Sequence, residues 1–142
     1  MDDAFEAAVA ITGAARLAGG VAAAGFVLVA GFQAALALGA PWGRAAWGGA
    51  HRRLPGGLRI ASAVAVILWL AAALVVLARA GYRSPIPSGV GRWATWVLFG
   101  LLVVGTLMNL VSRSKLERLI QTPTAAGLAI LCLLVALGPV TP

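Results

Sequence analysis

Four long runs without a charged residue, separated by short segments that hold nearly all of the charge, restrict this chain to a small polytopic membrane protein. About 20 apolar residues in a helix cross the roughly 30 Å hydrocarbon layer while satisfying every backbone N–H and C=O within the segment. The runs predict spans at about 17–39, 60–78, 93–111 and 123–140. Only 11% of the residues are charged, against about 25% in an ordinary soluble domain. The expected fold class is therefore all-α membrane: a four-transmembrane-helix bundle forming a single integral membrane domain over residues 1–142. Thr122 followed by Pro123 reads as an N-cap and first helical residue, which places the start of the fourth span there. Its exit falls near Val140, marked by Gly138 and Pro139.

The leader from Met1 to Arg16 carries Asp2, Asp3 and Glu6 where a secretion signal needs basic residues, so it is expected to be retained. Asp3 and Glu6 have the spacing of a capping box, and the leader is expected to extend the first helix or to lie along the interface. Lys and Arg set the orientation. Arg44, Arg52, Arg53 and Arg59 in loop one and Arg113, Lys115 and Arg118 in loop three make seven, against Arg16, Arg79, Arg83 and Arg92 on the other side. Loops one and three are thus expected in the cytoplasm and both termini outside. The net charge of +7 is spread over loops too short to form a nucleic-acid module, so no nucleic acid is expected. Anionic phospholipid is the expected partner, together with either a second copy of the chain or a larger membrane complex.

Trp42, Trp47, Trp93 and Trp96 fall near the predicted span ends and read as membrane-interface anchors. Trp69 lies within a span, as a packing residue or as the wall of a ligand site. Cys132 is alone and is assigned no chemistry. His51 is the one histidine and has no second ligand at metal-binding spacing, so no metal, cofactor or catalytic set is expected. Gly31, Ala35 and Gly39 repeat every four residues, and Gly100 and Gly105 thin the third helix; both patterns point to helix contacts, within the chain or between copies.

The stretch from Gly39 to Ser62 is the least generic part of the chain. Its two prolines, six glycines and two tryptophans before Leu58 predict an ordered Gly/Pro/Trp-rich loop between helices one and two. On the same side, the third helix is expected to run on past Met108, which would put Asn109, Arg113 and Glu117 on one stripe bordered by Ser112. Glu117 is the one carboxylate outside the acidic leader, and Arg59 is its expected partner, with Arg113 competing. Two readings follow. In one, Glu117 pins loop one to the third helix by a salt bridge; in the other, Arg59, Ser62, Asn109, Arg113, Glu117 and His51 form a ligand-binding set, because an amide within a span marks a site or a pathway.

These motifs, Gly-Ala-Pro-Trp-Gly at 39–43, Gly-Gly-Ala-His at 48–51, Leu54-Pro55, Arg59 to Ser62, Asn109 to Glu117 and Thr122-Pro123, resemble a family of small bacterial four-span membrane proteins of uncharacterised activity. The resemblance implies a multi-pass protein of the bacterial inner membrane whose motif residues gather at one membrane face. Trp42 stands where phenylalanine is also expected, and Gln121 where a large apolar residue is more usual.

The expected function is to bind or move a small ligand or a lipid at a cytoplasmic-side polar pocket. The alternative is a structural or regulatory subunit of a larger membrane complex. An enzyme is disfavoured, since only His51 and Glu117 could serve acid–base chemistry on that side. Proton-coupled drug export of the small multidrug-resistance type is also disfavoured, since 17–39 holds no carboxylate.

Overall fold

The computed structural model describes residues 2–138, apart from the side chains of Asp2, Asp3 and Ser88. Its helices are α1 (Asp2–Ala37), α2 (Gly56–Arg79), α3 (Ser88–Leu110) and α4 (Lys115–Leu137), with two short 3-10 turns, Gly43–Ala45 and Trp47–Gly49, inside loop one. All four helices are long and apolar enough to cross a membrane. They pack in cyclic order, α1 against α2 and α4, and α3 against α4 and more lightly against α2. The outward faces are rich in exposed Leu, Ile and Val, for example Leu28, Ile67, Leu101 and Ile130. Lipid is the solvent in which such a surface is stable. The chain is a multi-pass membrane protein.

The core uses small residues because hydrocarbon outside the bundle removes the hydrophobic drive for association, and close packing must supply it instead. Ala22, Ala23, Phe26, Ala72, Ala73, Val76, Leu102, Leu128, Ala129 and Cys132 form the main cluster, to which α3 contributes Leu102 alone. Trp69 stacks on Phe26, ring centroids 5.6 Å apart, at the edge of that cluster.

The glycines that permit close approach are not those the small-residue repeats singled out. A Cβ at Gly19 would collide with the Ala80 side chain, and one at Gly25 would come within 2.7 Å of Leu128. A Cβ at Gly31, Gly100 or Gly105 would meet nothing within 4 Å. Gly39 instead closes α1: at φ +96° it donates to the Leu36 carbonyl, and Ala40 donates to Ala35, the bond pair that absorbs terminal carbonyls in a left-handed helix stop. Gly19→Leu is accordingly expected to destabilise the bundle by about 1–3 kcal/mol. Gly31→Leu should stay within about 0.5 kcal/mol; denaturant unfolding of the detergent-solubilised protein separates the two.

The leader extends α1, one of its two expected arrangements, making it about 54 Å long at 1.5 Å per residue. Two element boundaries differ from the sequence expectation. The third helix stops at Leu110, and 111–114 connect it to α4. Ser112 Oγ accepts from the Ser114 N–H at 3.2 Å, a local side-chain bond that competes with helix continuation. The fourth helix begins at Lys115 with Ser114 as its N-cap, its Oγ accepting from the Glu117 N–H at 3.3 Å. Thr122 therefore caps nothing, and Pro123 lies inside the helix, where its ring displaces one backbone bond. The expected exit at Pro139 and Val140 and the Asp3 side chain of the leader's capping box lie outside the described residues.

At the end of the bundle away from loop one, buried Arg79 donates to the Ala136 carbonyl at 2.9 Å and to that of Gly138. Arg16 lies over the Tyr82 ring, 4.8 Å from its centroid, while Tyr82 Oη donates to the Arg16 carbonyl. Arg79, at the C-terminus of α2, thus meets carbonyls at the C-terminus of α4 that lack a partner within the helix.

Candidate functional site

Loop one folds back over the N-terminus of α4. After extended Ala46, the residues Trp47, Gly48 and Gly49 take φ of +54°, +78° and +71°. Left-handed backbone at a tryptophan stores strain, of order 1–3 kcal/mol. The turn aims the Gly48 N–H at Glu117, 3.1 Å from Oε2 and 3.4 Å from Oε1. Ser112 Oγ donates to Oε2 as well. Ser114 Oγ donates to the Arg44 carbonyl, Gln121 Nε2 donates to the Ala45 carbonyl at 3.1 Å, and Trp47 Nε1 donates to Ser62 Oγ at 3.0 Å. Loop one is thus fastened to α4 through three separate residues and to α2 through a fourth.

Glu117 is only 8% exposed. It lies in the first turn of α4, beside the backbone N–H groups that lack a partner within the helix. No ion pair reaches it among the described residues, and the expected Arg59 partnership is not formed. Arg59 Nε donates instead to the Ala37 carbonyl at 2.8 Å, and its guanidinium lies over Gly39. The physical reason is competition: the C-terminus of α1 offers Arg59 unpaired carbonyls close at hand. Glu117 therefore pins loop one through a backbone amide, not through a salt bridge, and onto α4, not onto α3.

Beside this carboxylate opens a cavity of about 220 Å³, lined by Val29, Gln33, Ala46, Trp47, Trp69, Asn109, Glu117 and Gln121. A deeper cleft of about 100 Å³ shares Val29, Trp69, Asn109 and Gln121 with it and continues between Leu101, Leu102, Thr124 and Leu128. The cavity carries the polar Gln33, Asn109, Glu117 and Gln121, while the residues that the cleft adds are mostly apolar. Half-buried Asn109 lines both cavities. Gln33 Oε1 is buried without a hydrogen-bond partner, an arrangement that costs about 1–3 kcal/mol.

Of the sequence-derived set, the structure brings Asn109 and Glu117 to the cavity wall, and Ser62 one hydrogen bond behind it through Trp47. Arg59, Arg113 and His51 are exposed and line neither cavity. Arg113 leaves the expected stripe because it falls in the connector, not on a helix. Gln33, Gln121 and Trp47 belong to the wall although the sequence assigned them no part in it. The two glutamines could have been found as amides within or beside predicted spans. Trp69 both packs on Phe26 and lines the cavity. Trp42, Trp93 and Trp96 are exposed, and Trp47 is exposed to the same degree as Trp96 although it also lines the cavity.

Among the described residues, no group of three His, Cys, Asp or Glu could hold a metal ion. Comparison with family models, curated proteins and solved structures finds no match.

Proposed function

We propose that this membrane protein binds a small amine or ammonium solute in the cavity beside Glu117, with loops one and three facing the cytoplasm of a bacterial inner membrane. The observation that carries this reading is a buried carboxylate without a cationic partner among the described residues, on the same cavity wall as a buried Gln33 carbonyl oxygen that has no donor among them. A carboxylate has about four acceptor positions, and Gly48 and Ser112 supply two donors. The wall therefore asks for N–H groups and positive charge. Trp69 adds an aromatic surface of the kind that attracts cations. At about 220 Å³ the cavity is smaller than the roughly 300–1,000 Å³ that hold drug-sized ligands, which limits the solute to a few carbons. The orientation rests on the excess of Lys and Arg in loops one and three.

The second reading, a structural subunit, is favoured by Gly31, Gly100 and Gly105, which meet nothing within the chain and leave room for a helix from outside.

Thermal unfolding of the detergent-solubilised protein, titrated with ethanolamine, choline, guanidinium and putrescine, tests the first reading. At least one should stabilise it saturably, by about 2.7 kcal/mol at a hundredfold excess over Kd. Gln33→Leu with Asn109→Leu should abolish that response. If no amine stabilises the wild type, or the double variant responds equally, the solute reading is wrong.

A further inference from the structure

A second recess lies on the outer side of loop one, separate from the Glu117 cavity. It measures about 410 Å³ and is walled by Phe32, Trp42, Arg44, Arg52, Leu116 and Ile120. Phe32 and Trp42 stack nearly parallel, 6.3 Å between centroids at 3°, and hold one wall flat. Leu116 and Ile120, on the first turns of α4, form the other side and are largely exposed. The apolar floor thus runs along the bundle surface from loop one down two membrane-spanning helices, α1 and α4. At its mouth stand Arg44 and Arg52, both exposed and neither hydrogen-bonded nor ion-paired through its side chain among the described residues.

We infer that this recess seats one anionic phospholipid, the phosphate between Arg44 and Arg52 and the upper part of an acyl chain along Phe32, Leu116 and Ile120. Charge complementarity selects the occupant. The one carboxylate at this end of the bundle, Glu117, is buried and engaged by Gly48 and Ser112, so it does not neutralise the arginines. A free phosphate would leave the apolar floor facing water, and a neutral lipid would leave the arginines without a counter-charge. A lipid with an anionic head satisfies both, at the depth where indoles such as Trp42 sit in a bilayer. The inference is independent of the solute reading.

Vesicles in which phosphatidylglycerol or phosphatidylcholine carries brominated acyl chains provide the test, read as quenching of tryptophan fluorescence in the full chain. The Trp42 component, identified by its loss in Trp42→Phe, should favour phosphatidylglycerol by about thirtyfold, the ratio that two juxtamembrane arginines supply. Arg44→Gln with Arg52→Gln should bring that ratio to within about twofold of unity. The bond from Ser114 to the Arg44 backbone carbonyl is kept in that variant. Ile120→Trp should weaken binding of both lipids with the arginines intact. An unchanged preference in the double arginine variant would overturn the inference. So would equal quenching by both lipids in the wild type, or loss of the preference in millimolar inorganic phosphate.

Discussion

Gly49→Ala is expected to lower the stability of the bundle by about 3–5 kcal/mol and to lift loop one off α4. At φ +71° any L residue is strained, by about 1–2 kcal/mol. A Cβ here would also stand 2.5 Å from Ser114 Cβ, 2.6 Å from Ser114 Oγ and 3.0 Å from the Arg44 carbonyl oxygen. Ser114 would have to yield, and it is the N-cap of α4, a role worth about 1 kcal/mol. Gly48→Ala is the control. Its φ is +78°, yet a Cβ there meets nothing within 4 Å, so only the backbone strain of about 1–2 kcal/mol should appear. Denaturant unfolding in detergent measures both, and tryptic cleavage after exposed Arg52 and Arg53 reports whether the loop has come away. Equal effects of the two substitutions would show that the Ser114 contact contributes nothing.

The helices were legible in the sequence because hydrocarbon imposes one requirement on every span, and uninterrupted apolar length reveals it. The junction between α3 and α4 was not, because two signals there competed. Thr122-Pro123 has the form of a helix start, but so does Ser114-Lys-Leu-Glu117, whose serine and glutamate have capping-box spacing eight residues earlier. The earlier signal prevails because Ser112 and Ser114 engage the backbone of the connector and of loop one at once. Half of the capping box is used: Ser114 caps Glu117, while the Glu117 side chain turns away to Gly48. That diversion explains why the charge-pairing argument located the important carboxylate and misidentified its partner. Complementary charges are visible in a sequence, whereas a backbone amide presented by three left-handed residues is not. The small-residue repeats failed for a related reason. In a chain with 18 glycines, spacing alone does not separate a packing glycine such as Gly19 from a helix stop such as Gly39.

Glu117→Ala and Glu117→Gln are expected to separate the structural duty of this carboxylate from its proposed binding duty. Alanine leaves the Gly48 N–H and the Ser112 hydroxyl without their acceptor and removes the anion from the first turn of α4. Bonds to a charged group are worth about 1.5–3 kcal/mol and the dipole contact about 0.3–1 kcal/mol, so a loss of about 2–4 kcal/mol should result. Glutamine keeps a carbonyl oxygen for Gly48, and Ser112 Oγ has a second lone pair for the new amide hydrogen. Its stability should lie within about 1 kcal/mol of wild type, yet its response to amines should vanish with the charge. An amine response that survives Glu117→Gln would remove the carboxylate from the site. Arg59 supplies the remaining check, since a salt bridge between the two would make Arg59→Gln and Glu117→Gln non-additive. With Arg59 bound to the Ala37 carbonyl, their effects should sum to within about 0.5 kcal/mol; a larger coupling would mean that the ion pair forms in the membrane after all.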